Sequence, residues 1–254
     1  MAIPKIIHYC WFGGKPLPSS AIKCIDSWKK FFPNYEIKEW NENNFDIDIN
    51  LYVKEAYNAK KYAFVSDYAR LWILYHYGGL YFDTDVEVIK SFDDIVDRGP
   101  FMGIENGAYI TINGKDRVPS VAPGLGIGAN ANLSIYNIMM REYEKDRFLC
   151  DDGNYNLKTI VQRTTNILYE YGYRGSNTIE EVCNIWIYPS DFFCPYSQYT
   201  GKLSLTSNSR SIHHYDGTWL DGKGRMALFL RKKAGEKVFK RLCSLKRFLH
   251  SLLR

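Results

Sequence analysis

Lys5-Ile6-Ile7-His8-Tyr9-Cys10-Trp11-Phe12, closed by Gly13-Gly14, is the stretch that decides the fold. The run is almost continuously apolar rather than alternating, so it reads as a central strand buried on both faces, with a loop after it. Working outward, Ser20 to Phe32 has the character of a helix, Glu36 to Trp40 of a second strand, and Asn41-Glu42-Asn43-Asn44 of a polar loop. Strand, helix, strand in that order implies a parallel pair and an α/β fold. Ligands of such sheets lie beyond the carboxyl ends of the strands, which draws Trp11, Asn43 and the turn at Asp83-Thr84-Asp85 to one end of the molecule.

The segment from Ala59 to Tyr77 runs without Gly or Pro and stops at Gly78-Gly79, a helix with a glycine C-terminal stop. Asp67 and Arg70 are three apart on it and share a face, so they either pair with each other or reach one polar ligand together. Leu80-Tyr81-Phe82 reads as a short buried strand, and a bend at Thr84 would turn both Asp83 and Asp85 to one site. Two carboxylates one residue apart suit a hard divalent cation, Mg²⁺ or Mn²⁺, which commonly keeps a substrate phosphate in its shell. Asp-x-Asp also occurs in ordinary acidic turns, and Asp67–Arg70 could be a plain helix pair. The combination beside a buried strand favours a site, because charge near a core is costly.

Further along, strands are expected at Phe101 to Ile104, Tyr109 to Ile112, Gly124 to Gly128, Ile185 to Tyr188 and Ser211 to Tyr215, with helices at Leu133 to Asp146 and Leu157 to Tyr171. Trp28, Trp40, Trp72 and Trp186 fall within element patterns and read as core. His8 reads equally as a hydrogen-bonded core residue and is left out of the site.

At 254 residues, 46% hydrophobic and 16% aromatic, the chain can bury a large single core. No apolar run is long enough to span a bilayer, and the start of the chain has no signal-peptide pattern, so a cytoplasmic location is expected. The six cysteines form no Cys-x-x-Cys pair and read as reduced thiols. The net charge of +5 is uneven: residues 225–254 hold ten Lys or Arg against Glu236 alone. Val238, Phe239, Leu242, Leu245, Leu249, Leu252 and Leu253 recur there at helical spacing. Two parts follow: a main domain, 1–224, and a basic amphipathic helical tail, 225–254. The tail either packs on the domain or lies on an anionic surface at the inner face of the cytoplasmic membrane. Nucleic acid is not expected, since the basic residues do not extend into the body of the chain.

Four ordered motifs carry a family resemblance: Ile3-Pro4-Lys5 through Gly14, Ser66-Asp67-x-x-Arg70, Gly78-Gly79-x-Tyr81-x-Asp83-x-Asp85, and Ile212-His213-His214-x-x-x-Thr218-Trp219. Over about residues 3 to 220 the chain resembles the bacterial and fungal glycosyltransferases with a DXD sugar-binding region, including capsular-polysaccharide and mannosyltransferase-like enzymes, and more distantly the clostridial glucosylating toxins. The resemblance implies a GT-A fold with a mixed central sheet, a nucleotide-sugar donor (a UDP-sugar favoured over a GDP-sugar), Mn²⁺ or Mg²⁺, retention of anomeric configuration, and a surface-glycan or lipid-linked acceptor, as in polysaccharide biosynthesis.

By position, the resemblance also implies that Trp11 stacks on the nucleotide base, Asn43 lies near base or ribose, and Asp67 with Arg70 grips the donor sugar hydroxyls. Ser66 and Tyr81 fall beside the ribose or phosphate, Asp83 addresses ribose and metal-bound water, and Asp85 coordinates the metal. His213 is the favoured third metal ligand, with His214 on the opposite strand face as the alternative, and Trp219 covers the diphosphate. Asn130, in a glycine-rich segment, is a candidate acceptor contact. A haloacid-dehalogenase-like phosphatase fits poorly, because Glu87 stands where that class carries Thr or Val. A catalytically silent nucleotide-sugar-binding or scaffold protein of a polysaccharide assembly complex is the alternative from outside the enzymes.

Overall fold

The computed structural model describes residues 2–176 and 178–217. Trp219 and the 225–254 tail, with its expected helix, lie outside the described residues. The strand Ile6–Cys10 (β1) is not the central strand expected but an interior one, next to the edge of the sheet, with four of its five residues buried. It pairs in parallel with Glu36–Trp40 (β2) on one side and Gly79–Tyr81 (β3) on the other. The helix between β1 and β2, Ser19–Phe31 (α1), buries Ala21, Cys24, Ile25 and Trp28, a spacing that puts all four on one stripe. Trp28 alone, fully buried, contributes about 2–3 kcal/mol of apolar burial.

Beyond β2 come Leu51–Asn58 (α2) and Tyr62–Tyr77 (α3). The Asn50 side chain caps α2 by accepting from the Val53 N–H at 2.9 Å. Gly78 at φ +64° and Gly79 at φ +96° then reverse the chain into β3; a Cβ on Gly79 would meet the Ile6 carbonyl oxygen at 2.6 Å. His8 is a core residue: Nε2 donates to the Gly78 carbonyl at 3.0 Å and Nδ1 accepts from Trp40 Nε1 at 3.1 Å. Burial pushes its pKa down to about 4, so it stays neutral.

The remaining elements are Val86–Val88 (β4), Asp93–Arg98 (α4), Phe101–Ile112 (β5), Asp116–Val121 (β6), Ile127–Ala129 (β7), Ser134–Glu144 (α5), Ile160–Glu170 (α6), Glu180–Val182 (β8), Ile185–Tyr188 (β9), Ser190–Phe193 (α7) and Ser211–His213 (β10). The main sheet runs β2-β1-β3-β7-β5-β9-β8, with β6 paired to β5. The parallel order set by β1, β2 and β3 is broken at β7, which is antiparallel to both β3 and β5, so the α/β fold has the expected mixed sheet. One core packs α2, α3, α5 and α6 against one face of the sheet; a second packs α1, α4 and α7 against the other.

Three readings are corrected. Phe101–Ile104 and Tyr109–Ile112 are one strand, its ladder with β6 interrupted between Ile104 and Tyr109. The strand expected at Gly124–Gly128 is a 3-10 turn, Pro123–Leu125, followed by β7. Of the four tryptophans, Trp28 and Trp40 are buried while Trp72 and Trp186 are only half-buried.

Candidate active site

Helix α3 presents Asp67 and Arg70 on one buried face, and β3 ends in Tyr81 just before Asp83. The backbone turns there, with the Val86 N–H donating to the Asp83 carbonyl at 3.0 Å, which is the bend expected around Thr84. Arg70, 4% exposed, holds two carboxylates at once: its Nη2 lies 3.1 Å from Asp67 Oδ1 and 3.2 Å from Asp83 Oδ1. Its guanidinium lies over the Tyr81 ring at 4.8 Å, and the Tyr81 hydroxyl donates to Asp83 Oδ1 at 3.3 Å. Asp67 Oδ2 accepts the Ile160 N–H at 3.3 Å, at the amino end of α6. A carboxylate at that end meets the positive pole of the helix.

The other half of the site comes from β10, whose antiparallel register with β4 sets His213 opposite Val86, one residue after Asp85. His213 Nε2 lies 3.1 Å from Asp85 Oδ1, and Asp85 Oδ2 accepts the Asp216 N–H at 3.0 Å. Alternation turns the neighbouring His214 away, and its Nε2 meets Glu87 Oε2 at 2.9 Å. Asp83, Asp85 and His213 thus each offer a ligand atom within 4.8 Å of the others. His213 Nδ1 is buried with no hydrogen-bond partner among the described residues. An orphaned buried nitrogen beside two carboxylates fits a divalent cation, whose ligands would be oxygen and imidazole nitrogen.

A cleft of about 210 Å³ opens over these groups. Asp67, Arg70, Asp83, Glu105, His213 and Tyr215 supply its polar lining, and Ala63, Phe64, Ala122, Leu125, Ile160 and Val161 its apolar walls. Trp11, Asn43, Ser66, Tyr81, Thr84, Asp85, His214 and Asn130 do not line it; Asp85 reaches it only through its partner His213. Trp11 stands at the carboxyl ends of β1 and β2, half-buried, with Nε1 donating to the Lys15 carbonyl at 2.5 Å. Asn43 is exposed in a turn held by the Asn41 side chain, and the Ser66 hydroxyl donates to the Tyr62 carbonyl of its own helix at 3.0 Å. The sequence reading missed Glu105 and Tyr215 as site residues, and it took Gly124 for the start of a strand. A Cβ on Gly124 would overlap the Asp83 carboxylate, so the missing side chain is what lets Asp83 sit there. Gly124→Ala is expected to displace Asp83 and weaken Mn²⁺ binding about tenfold, read by metal titration; unchanged affinity would show that the turn yields instead.

Charges in the site are unevenly held. Burial raises the Asp67 carboxyl to about 6 even though Arg70 opposes the shift, because that guanidinium is shared with Asp83, whose own charge repels Asp67. Burial also works against the Asp85 anion, but His213 and the Asp216 N–H outweigh it and hold Asp85 down at about 2. For His213 burial favours the neutral ring, and the Asp85 carboxylate more than reverses this, raising its pKa. The Asp67 shift has a signed consequence. The folded protein binds a proton there between about pH 4 and 6 that the unfolded chain has released, so this group's contribution to stability falls as pH rises through that window. Asp67→Asn should therefore gain about 2–3 kcal/mol relative to the parent from pH 4 to 6.5, measured by urea unfolding; a constant difference would refute it.

Residues 18–102 match the glycosyltransferase sugar-binding region containing the DXD motif, a span that holds Asp67, Arg70, Asp83 and Asp85. An uncharacterized glycosyltransferase, L373, of Acanthamoeba polyphaga mimivirus is 26% identical over 229 residues, covering 84% of this chain and 85% of that protein. Inositol phosphoceramide mannosyltransferases 1 and 3 of Schizosaccharomyces pombe are 26% and 29% identical over 39% and 37% of this chain, and the matches span 33% and 28% of their lengths. Among solved structures, the PaToxG glycosyltransferase aligns over 66% of this chain and 70% of its own, at 20% identity and a TM-score of 0.47. A glycosyltransferase involved in glycosylating the major capsid of PBCV-1 aligns over 89% of this chain and all of its own, at 10% identity and a TM-score of 0.46. These structural similarities are too distant to assign a role to any residue.

Proposed function

We propose that this chain, a member of the glycosyltransferase family whose sugar-binding region contains a DXD motif, is a metal-dependent enzyme that moves a sugar from a nucleotide-sugar donor to a glycan or lipid-linked acceptor with retention of configuration. The observation that carries the reading is the joining of two charge clusters through Asp83: Asp67–Arg70–Asp83 in the cleft wall, and Asp83–Asp85–His213, of which Asp83 and His213 line the cleft and Asp85 pairs with His213. Mn²⁺ or Mg²⁺ held by Asp83, Asp85 and His213 would neutralise charge developing on a departing diphosphate. Asp67 and Arg70 would hold hydroxyls of the donor sugar, a carboxylate accepting and a guanidinium donating. Arg70 also orients Asp83, and the buried Tyr81 ring backs Arg70.

Retention is proposed on the family resemblance that the four ordered motifs carry. A UDP-sugar is the favoured donor. The fission-yeast relatives, inositol phosphoceramide mannosyltransferases by name, add a mannosyl donor and an inositol phosphoceramide acceptor to the candidates. The ten basic residues of 225–254 support an anionic membrane surface as the place of work, as in synthesis of capsule or other polysaccharide. Among the described residues no helix is long and apolar enough to cross a membrane. A chain ending at Arg225 is expected to lose co-sedimentation with phosphatidylserine vesicles that the full chain shows; equal co-sedimentation would refute the membrane assignment.

The test of the reaction is twofold. Calorimetric titration should show UDP or GDP binding that requires Mn²⁺, and proton NMR of the first product should show the donor's anomeric configuration preserved. Metal-dependent binding without turnover on any acceptor would return the reading to a nucleotide-sugar-binding scaffold, and an inverted product would overturn retention.

A further inference from the structure

Glu105 is the charged side chain of the cleft that the reaction above does not use. It lies on β5 where that strand's ladder with β6 is interrupted, between Ile104 and Tyr109, an irregularity of the kind that re-aims a side chain beside a site. Its exposure is only 9%, and it lines the cleft together with Asp67, Arg70 and His213 although it comes from a different element.

Its hydrogen bonds are lopsided. Gln198 Nε2 donates to Oε1 at 2.7 Å and the Tyr215 hydroxyl donates to the same Oε1 at 3.1 Å. No described group donates to Oε2. It belongs to a side chain that lines the cleft. The anchor is itself held: the Tyr215 hydroxyl lies 3.1 Å from Cys194 Sγ, and the Tyr215 ring stands edge-on to His213 at 4.1 Å. Tyr215 also has φ +53°, a left-handed conformation that costs a non-glycine residue about 1 kcal/mol and persists where surrounding contacts enforce it. A carboxylate pinned by one oxygen and open at the other is a fixed hydrogen-bond acceptor. Burying such an acceptor is costly unless something donates to it.

We infer that Glu105 is a specificity-determining residue whose Oε2 accepts a hydrogen bond from one hydroxyl of the sugar being transferred, selecting donors that carry that hydroxyl. The inference rests on the nucleotide-sugar reading above. Buried acceptors of this type discriminate strongly, because a donor lacking the hydroxyl leaves the oxygen dry and unpaired.

Glu105→Gln is the informative variant. The amide is isosteric, its oxygen can keep both bonds from Gln198 and Tyr215, and its NH₂ then faces the cleft, turning the open acceptor into a donor. The experiment measures kcat/KM for nucleotide release, with Mn²⁺ and the full chain, from the best donor and from each of its monodeoxy analogues. For the parent, one deoxy position is expected to be about 10–100-fold poorer than the intact donor. In Glu105→Gln that one gap should narrow, because the sugar hydroxyl can still accept from the amide NH₂ but loses its bond to a charged acceptor, while the gaps at other positions stay and the deoxy analogue at the matched position is turned over as well as by the parent. The last result also shows that the variant is folded. A uniform fall across all donors, or gaps that do not change, would overturn the inference and leave the enzyme reading intact. Absence of release by the parent from every donor would overturn both.

Discussion

Asp85→Ala is expected to lower metal-dependent turnover by about 10³-fold or more, since a cation on a leaving diphosphate supplies several kcal/mol of charge stabilisation. Asp85 is the member of the cluster held most firmly as an anion, with its pKa down at about 2, and it organises the others. It pairs with His213 Nε2 at 3.1 Å, it accepts the Asp216 N–H at 3.0 Å, and its own carbonyl accepts the His214 N–H at 2.9 Å. Truncation therefore removes a ligand and also frees the segment that carries the third ligand. Asp85→Asn separates the two effects: it can still accept from Asp216 but brings no charge to a cation, so it should keep the parent's melting temperature more closely than alanine does and still lose Mn²⁺. The measurement is Mn²⁺ titration by electron paramagnetic resonance beside turnover. A variant that binds Mn²⁺ as tightly as the parent would remove Asp85 from the metal site.

Arg70→Ala carries the second large effect, on stability first. The guanidinium is almost wholly buried and shared between Asp67 and Asp83, neither of which has another cationic partner at salt-bridge distance among the described residues. Deleting it leaves two carboxylates facing each other under an apolar wall. Breaking a buried pair on one side costs about 3–5 kcal/mol, which for a domain of this size lowers Tm by roughly 10 °C. Arg70→Lys should recover only part of this, because an ammonium cannot span two carboxylates with the planar fork that Arg70 uses. Donor binding should be lost in both. Thermal unfolding by circular dichroism decides the point: an alanine variant within about 1 kcal/mol of the parent would mean that water already solvates the pair.

How much of this was legible in the sequence differs from element to element. β1 and β2 were readable because each stands alone as a pattern: an unbroken apolar run for a doubly covered strand, and five residues bounded by turns. Asp67, Arg70, Asp83 and Asp85 were readable because all lie within twenty residues on a helix and the strand that follows it. His213 was reachable through the alternation of a strand, but its pairing with Asp85 depends on the β4–β10 register, a contact across more than 120 residues that no local pattern encodes. Glu105 was hidden for the opposite reason. The bulged middle of β5 broke the alternation, so one strand read as two and the acid between them read as loop. The antiparallel turn of the sheet at β7 was equally hidden, since Ile127–Ala129 is three residues of small and apolar type with no periodicity to read. Gly124 read as the start of a strand, whereas its lack of a side chain is a fitted space for Asp83.

The most direct test of the central claim, that one cleft joins a metal site to a sugar-binding pair, is the release of UDP or GDP by the full chain from a panel of nucleotide sugars, with Mn²⁺ and with EDTA. Release is expected from one or a few donors, dependent on the metal and lost in both Asp85→Ala and His213→Ala. Release that persists in EDTA or in both variants would contradict it, as would a folded parent that binds Mn²⁺ yet binds and cleaves none of the donors.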